Sequence, residues 1–331
     1  MKKMNKATKI TLITVCSVLA FVFLVLIGFS IGENIVFADF YKDADKEFKI
    51  PGLWGGSVPQ GFEYIEEGGV FLYTGYHKDT ESPSMVYIIS DNGEGKPRKI
   101  DLYDKDGKPF TSHVGGITVY GDYAYIADGK GFSLFELADI FDTDDKATML
   151  DKIDNDFGVA FVEAIGNKLY VGNFYRAVDY ETPASHHIET PNGDKNSALI
   201  YVYDLNPETS YPVSIYPTEA YSITDAIQGM TIDENGKIFL STSWGLSKSH
   251  IYIYDETNAS KGTFKTPNGD EIPLTFLDSK CKVDDITSPP MAEEIVCKDG
   301  KVYIIGESAS MKYLFGKFTG GNYVYSYNYE K

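Results

Sequence analysis

One pattern occurs five times along the chain: a small or polar residue, an apolar stretch, a turn, then a second apolar stretch rich in tyrosine. The copies run from Gln60-Gly61-Phe62 to Gly69-Val70-Phe71-Leu72-Tyr73, from Gly115-Gly116-Ile117 to Asp122-Tyr123-Ala124-Tyr125-Ile126, and from Ala160-Phe161-Val162 to Asn167-Lys168-Leu169-Tyr170-Val171. Two more run from Gln228-Gly229-Met230 to Gly236-Lys237-Ile238-Phe239-Leu240 and from Glu293-Glu294-Ile295 to Gly300-Lys301-Val302-Tyr303-Ile304. Their openings are 55, 45, 68 and 65 residues apart. Self-similarity at this period, with strand patterning in every copy, restricts the chain to a repeat architecture whose units bury their faces against one another.

Each copy continues into a third alternating segment: Met85–Ile89, Phe132–Phe135, Leu199–Asp204, His250–Asp255 and Tyr323–Tyr327. A fourth, more polar segment follows in most copies, such as Arg98–Leu102 or Met149–Ile153. Four antiparallel strands per unit, without an extended helical period, describe the blade of a β-propeller. Tyrosine and β-branched residues suit sheet faces pressed between neighbouring blades. The fifth copy ends at Tyr329-Glu330-Lys331 with three strands, while Glu47-Phe48-Lys49-Ile50-Pro51 stands alone before the first. An N-terminal strand that completes the last blade uses both leftovers and removes an open sheet edge. The expected fold is therefore all-β, a five-bladed propeller over residues 47–331 closed by its own N-terminal strand. The turns Thr190–Asp194 and Thr266–Asp270, both Thr-Pro-Asn-Gly-Asp, mark hairpin extensions within the long third and fourth units.

The first segment is of another kind. Lys2, Lys3, Lys6 and Lys9 precede an uncharged apolar run over residues 10–32, long enough to cross a bilayer as a helix. The lysines hold that end in the cytoplasm, so the expected location of the remainder is extracytoplasmic. Val36-Phe37-Ala38 also suits signal peptidase. Residues 1–38 are thus either a transmembrane anchor or a signal peptide cleaved near Ala38, with 39–46 as a short linker. The chain carries a net charge of −18, and its first 38 residues hold four lysines against one glutamate, so the exported part is more acidic still. That balance repels nucleic acid and favours cations. Cys281 and Cys297 are the cysteines outside the apolar run, and in an oxidising compartment they are candidates for a disulfide.

In a propeller blade the start of the innermost strand and the end of the second emerge on one face. Two sets of residues gather there. The blade openings supply Gln60, Gln228 and Glu293, with Gly115 and Ala160 at the other two openings and His113 just upstream in the second blade. The ends of the second strands supply Tyr76, His77, Asp128, Asn173, Tyr175, Arg176, Trp244 and Glu307. Glycine at Gly61, Gly116 and Gly229 is what a strand approaching a crowded axis requires. Gln60, Gln228 and Glu293 at one level of a narrow channel must be satisfied by one another, by water or by an ion. As hard oxygen donors they would favour calcium or magnesium over zinc. Trp244, with Tyr76 and Tyr175, would give the face an aromatic floor around acidic and amide groups, suited to sugars, peptides or small cations. His186-His187 lies in the long connection from Phe174 to Ser197, which would overhang the same face, either in solvent or as a lid. No Gly-x-Ser-x-Gly elbow, His-Glu-x-x-His pair or Gly-rich phosphate loop is present.

The Gln-Gly-apolar and Glu-x-apolar openings resemble those of the calcium-dependent propellers, the group of gluconolactonase-like esterases, strictosidine synthase-like proteins and calcium-activated nucleotidases. The likeness covers the blade openings only. It implies one calcium ion held in the channel by Gln60, Gln228 and Glu293, sometimes with a catalytic water; Gly115 and Ala160 depart from that pattern. The expected function is binding of a small molecule, glycan or peptide on the funnel face of an exported propeller. The alternatives are a metal-dependent hydrolase of lactones, esters or phosphate esters, and a protein interaction scaffold at the cell envelope.

Overall fold

The structure, a computed structural model, describes residues 5–142, 145–209, 211–212 and 216–330; Lys2 and Lys3 lie outside the described residues. It opens with one long helix, α1 (Lys6–Val36), started by the Asn5 side chain, which accepts the Thr8 amide at 2.8 Å. The helix is long and apolar enough to cross a membrane. Residues expected as a linker form instead a short helix, α2 (Ala38–Asp43), and run directly into the strand Ala44–Lys49. Phe40 fixes that turn by stacking on Tyr327 at 5.6 Å and meeting the edge of Tyr325 at 5.8 Å.

The rest is mostly β. Alternating Tyr, Val and Ile segments joined by short turns form four-stranded antiparallel units in chain order. The first comprises Ser57–Ile65, Val70–His77, Met85–Ser90 and Arg98–Tyr103; the second Ile117–Tyr120, Tyr123–Ala127, Gly131–Glu136 and Lys146–Asp154. The third comprises Val159–Ile165, Lys168–Asn173, Ala198–Asn206 and Glu219–Ile223; the fourth Ile227–Ile232, Lys237–Thr242, Ser249–Asp255 and Lys282–Ser288. Ala292–Lys298, Lys301–Gly306 and Tyr323–Asn328 form the fifth, and its outer strand is Ala44–Lys49, paired antiparallel from Ala44↔Tyr327 to Lys49↔Tyr323. The first two units join edge to edge through the parallel pairing of Asp101–Tyr103 with Lys146–Thr148. The hairpin Ser260–Lys265/Glu271–Phe276 extends the third unit, pairing parallel at Ala220↔Leu274.

The innermost strands neighbour one another in sequence, first beside second through fourth beside fifth, and the fifth returns to pack beside the first. A separate apolar cluster fills each gap. Leu72, Val86 and Ile100 meet Ile117, Ala124 and Phe135 between the first and second units. Phe132 and Ile153 meet Leu169, Val171 and Tyr201 in the next gap, and Phe161 and Ile200 meet Met230 and Leu240 after it. Phe239, Ile251 and Ile286 meet Ile295, Val302 and Tyr325, and Val296, Tyr303 and Val324 meet Phe62, Phe71 and Tyr73. Burying each such side chain is worth roughly 1.5–3 kcal/mol, so contact between units carries the fold. This is a propeller-type arrangement.

The axis is as crowded as the glycines suggest. A methyl group at Gly61 would meet the Gly115 carbonyl and the Ile117 amide, and one at Gly115 would overlap the Ala160 carbonyl.

Candidate functional site

The start of the inner strand pairs with the end of the second strand within a unit, as in Ser57↔His77, Val159↔Asn173, Ile227↔Thr242 and Ala292↔Gly306, and this end of the inner strands is the mouth of the propeller axis. Ring contact between Tyr76 and His113, 4.1 Å between centroids, joins the first unit's second strand to the second unit's entry. Inside the mouth, Gln60 Nε2 donates to Glu307 Oε2 at 3.2 Å and to the Pro59 carbonyl at 2.6 Å. The Glu293 carboxyl lies beside that of Glu307, whose charge adds to its upward shift. Burial raises both: Glu307 to about 7, with the Lys312 ammonium opposing the shift, and Glu293 well above the usual range. The Tyr313 phenol lies beside Glu307 and Tyr76, and Lys312 Nζ donates to the Tyr76 hydroxyl at 2.6 Å. Burial pushes both phenols far above their ordinary value, so they act as neutral hydrogen-bonding groups. His113 is lowered to about 4, first by loss of water around its ring against Tyr76 and then by Lys312, so it is neutral at physiological pH.

Lys312 and Tyr313 were missed from sequence. They lie in the insertion between Gly306 and Tyr323, unusually long for a connection between a blade's second and third strands, and that length was the available signal.

A second group of carboxyls lies farther along the inner strands. Glu294 enters the channel beside Gly116 and Gly229, where its Oε1 accepts the Met230 amide at 2.8 Å and its Oε2 has no protein partner. Glu63 accepts from Thr118 Oγ1 at 2.7 Å and from the Tyr64 amide at 2.7 Å; Glu163 accepts from Thr231 Oγ1 at 3.2 Å. Burial raises Glu63 to about 7 and Glu163 and Glu294 well beyond the ordinary range, with repulsion from Glu63 adding to the last two. The sequence signal for Glu63 and Glu163 was an acid interrupting the apolar inner strand at matching positions.

The other expected site residues divide by what their polar atoms already do. Asp128 caps its own turn through the Lys130 and Gly131 amides and pairs with Lys152 Nζ at 3.0 Å. Asn173 accepts the Leu199 amide at 2.8 Å and contacts His186 Nδ1 at 3.0 Å. His186, expected in solvent or on a lid, is fully buried among Phe157, Tyr201 and Phe264. His77 turns outward to the Gly55 carbonyl at 2.9 Å and to Asp79. Tyr175 stands edge-on to His187, 4.9 Å between centroids. The Arg176 guanidinium covers the Trp244 ring at 4.1 Å and pairs with Asp179. Trp244 keeps 40% of its surface exposed.

For a cation the donors are poorly disposed. Gln60 reaches Glu307, burial and the neighbouring Glu307 favour the neutral form of Glu293, and Gln228 is half-buried on the fourth inner strand without a hydrogen bond to this network. Among the described residues no three His, Cys, Asp or Glu side chains converge as metal ligands. The residues as arranged do not fit the calcium site implied by the resemblance. Away from the mouth, a recess of about 440 Å³ is bordered by Asp154, Asp156, Tyr201, Tyr203 and Tyr216; none of the expected site residues lines it.

No protein-family model matches the chain, and no curated protein does. Among solved structures it is similar to the PQQ-bound aldose sugar dehydrogenase of Streptomyces coelicolor, at 8% identity and a TM-score of 0.42 over 85% of this chain and 95% of that one. It is similar to the glutaminyl cyclase of Myxococcus xanthus, at 10% identity and 0.43 over 80% and 91%. An exo-β-1,3-galactanase of Phanerochaete chrysosporium, with β-1,3-galactotriose, gives 10% identity and 0.46 over 80% and 59%.

Proposed function

We propose that the protein is an extracytoplasmic five-bladed propeller, held at the cell membrane by α1, that binds a small polar molecule, glycan or peptide at the channel mouth. Five blades are supported by the cyclic order of the inner strands and by one apolar cluster in each gap between units. The observation that carries the binding reading is the Glu293–Glu307 pair, roofed by Gln60, Tyr76, Tyr313 and Lys312. These groups offer carboxyl, amide, phenol and ammonium hydrogen bonding within one partly dehydrated recess, where a ligand hydroxyl or amine gains more than it would in water. No separate observation favours metal-dependent hydrolysis or a protein scaffold.

The test is ligand-observed NMR with the full chain in nanodiscs, against a panel of mono- and oligosaccharides, short peptides and amines. A ligand that binds the wild type and loses at least tenfold in affinity in Glu307→Gln with Tyr76→Phe supports the mouth as the site. Ligands that bind both proteins equally place recognition elsewhere and end the reading.

A further inference from the structure

We infer that the mouth of the channel faces the membrane that α1 enters, and that its rim docks on that bilayer. The inference rests on the reading of α1 as a retained anchor.

The first argument is where α1 leaves the sheets. The Phe29 ring stands edge-on to Phe315, 6.2 Å between centroids, and Phe315 opens the short 3-10 turn Phe315–Phe318 of the insertion at the mouth. Farther on, the Tyr41 hydroxyl donates to Glu33 Oε1 at 3.1 Å, and Phe40 stacks on Tyr327 of the fifth unit. Residues 29–41 therefore descend along the fifth unit from the level of the mouth, and the apolar part of α1, none of it buried, projects past that level. At 1.5 Å per residue the run from Ile10 to Phe29 spans about 28 Å, close to the roughly 30 Å hydrocarbon core of a bilayer. With Ile10 at one boundary, the other boundary falls at Phe29, beside the mouth.

The second argument is independent of the helix. Beyond α1, ten large hydrophobic side chains are exposed among the described residues, and seven of them sit in the loops around the mouth. Trp54 is 78% exposed, Leu246 69% and Val178 89%; Trp244, Leu314 and Phe318 are less so. The chain has two tryptophans, and both are in this set. Each has a cation over its ring, Lys317 Nζ at 3.9 Å from Trp54 and Arg176 at 4.1 Å from Trp244. Tryptophan beside Lys or Arg is the composition of a membrane interface, where the ring sits at headgroup level; here the Lys317 ammonium is itself buried against Trp54, while Arg176 stays partly exposed and paired with Asp179. Val178 holds φ at 79°, unfavourable for a β-branched residue, while presenting its side chain outward. Once α1 is inserted, rim contact is intramolecular, so a few shallow apolar insertions suffice.

The test uses the full chain reconstituted into phosphatidylcholine vesicles, with intrinsic fluorescence from Trp54 and Trp244 as readout. Alkaline carbonate extraction first establishes whether the protein is integral. For integral protein, acyl-chain-brominated lipid is expected to quench at least half of the emission while aqueous iodide quenches little, and Trp54→Phe and Trp244→Phe should each retain the lipid effect. Integral protein that iodide quenches fully and brominated lipid leaves unchanged overturns the docking and leaves the anchor intact. Release by carbonate overturns the anchor, and the docking with it.

Discussion

The Glu294 carboxylate occupies the space that Gly229 leaves open: its Oε1 accepts the Met230 amide at 2.8 Å, and a methyl group on Gly229 would overlap it. The fourth and fifth units thus meet at the axis by exchanging a side chain for the lack of one. Gly229→Ala should cost about 1–3 kcal/mol, the ordinary penalty for overfilling a packed interior. Adding Glu294→Ala to it should return part of that loss, since the double variant removes the obstacle. Denaturant unfolding of the two single variants and the double measures the coupling. Additive losses would mean that the two positions do not share this space.

Stability should fall as pH rises through neutrality. Buried acids whose affinity for protons is raised on folding favour the protonated chain. Their contribution is fully present below the ordinary carboxyl value of 4.5 and is lost as pH passes the folded values, about 7 for Glu63 and Glu307 and higher for Glu163, Glu293 and Glu294. Thermal unfolding should therefore come at a temperature lower by roughly 5 °C or more at pH 8 than at pH 5. Glu293→Gln with Glu307→Gln should flatten the profile. A midpoint that climbs with pH across this window would contradict the protonated pair.

Cys281 and Cys297 should remain thiols even in an oxidising medium. Cys281 is buried in the cluster between the third and fourth units, while Cys297 packs between the fourth and fifth, so the pairing admitted by sequence does not occur. Burial raises both thiols above their ordinary value, leaving little thiolate to attack an oxidant. Iodoacetamide should label both in urea and at least tenfold more slowly in the native protein, read by intact mass. A species lighter by two hydrogens after non-reducing denaturation would show the bridge.

What the sequence disclosed was mostly local, and what it hid was mostly made at a distance. The alternation in Leu199–Asp204 and the two Thr-Pro-Asn-Gly-Asp turns specify strands and hairpins with their own neighbours, and the structure has both hairpins, Ile188–Glu189/Lys195–Asn196 and Ser260–Lys265/Glu271–Phe276. The closing strand was legible as a leftover, but its bounds were not. It runs over Ala44–Lys49, with the Ile50 amide adding one more in-register bond to the Asn322 carbonyl before the chain turns away through Gly52 and Gly56. The positions of Asp128 and Asn173 at strand ends were foreseeable, but not that their side chains serve their own backbones. Lys312 meets Tyr76 across 236 residues, and His186 is buried by the wrap of an insertion with no periodic pattern. Neither contact has a local signature.

The N-terminal strand should be essential to cooperative folding. Ala44–Lys49 covers the outer edge of the fifth unit, its Glu47 accepts from Ser326, and Lys301 Nζ pairs with Asp45 at 3.0 Å. Phe48, 6% exposed, packs its ring 5.3 Å from Phe71 of the first unit, so this strand also seals the gap between the last unit and the first. The surface ion pair adds little, whereas emptying the Phe48 position leaves a cavity in the seam. Phe48→Ala should cost about 3–5 kcal/mol, and Asp45→Asn less than about 1 kcal/mol. Denaturant unfolding by circular dichroism separates the two variants. If Phe48→Ala matched Asp45→Asn, the ring would be held shut by something other than this strand, because an edge without its seal exposes both unpaired amides and apolar surface.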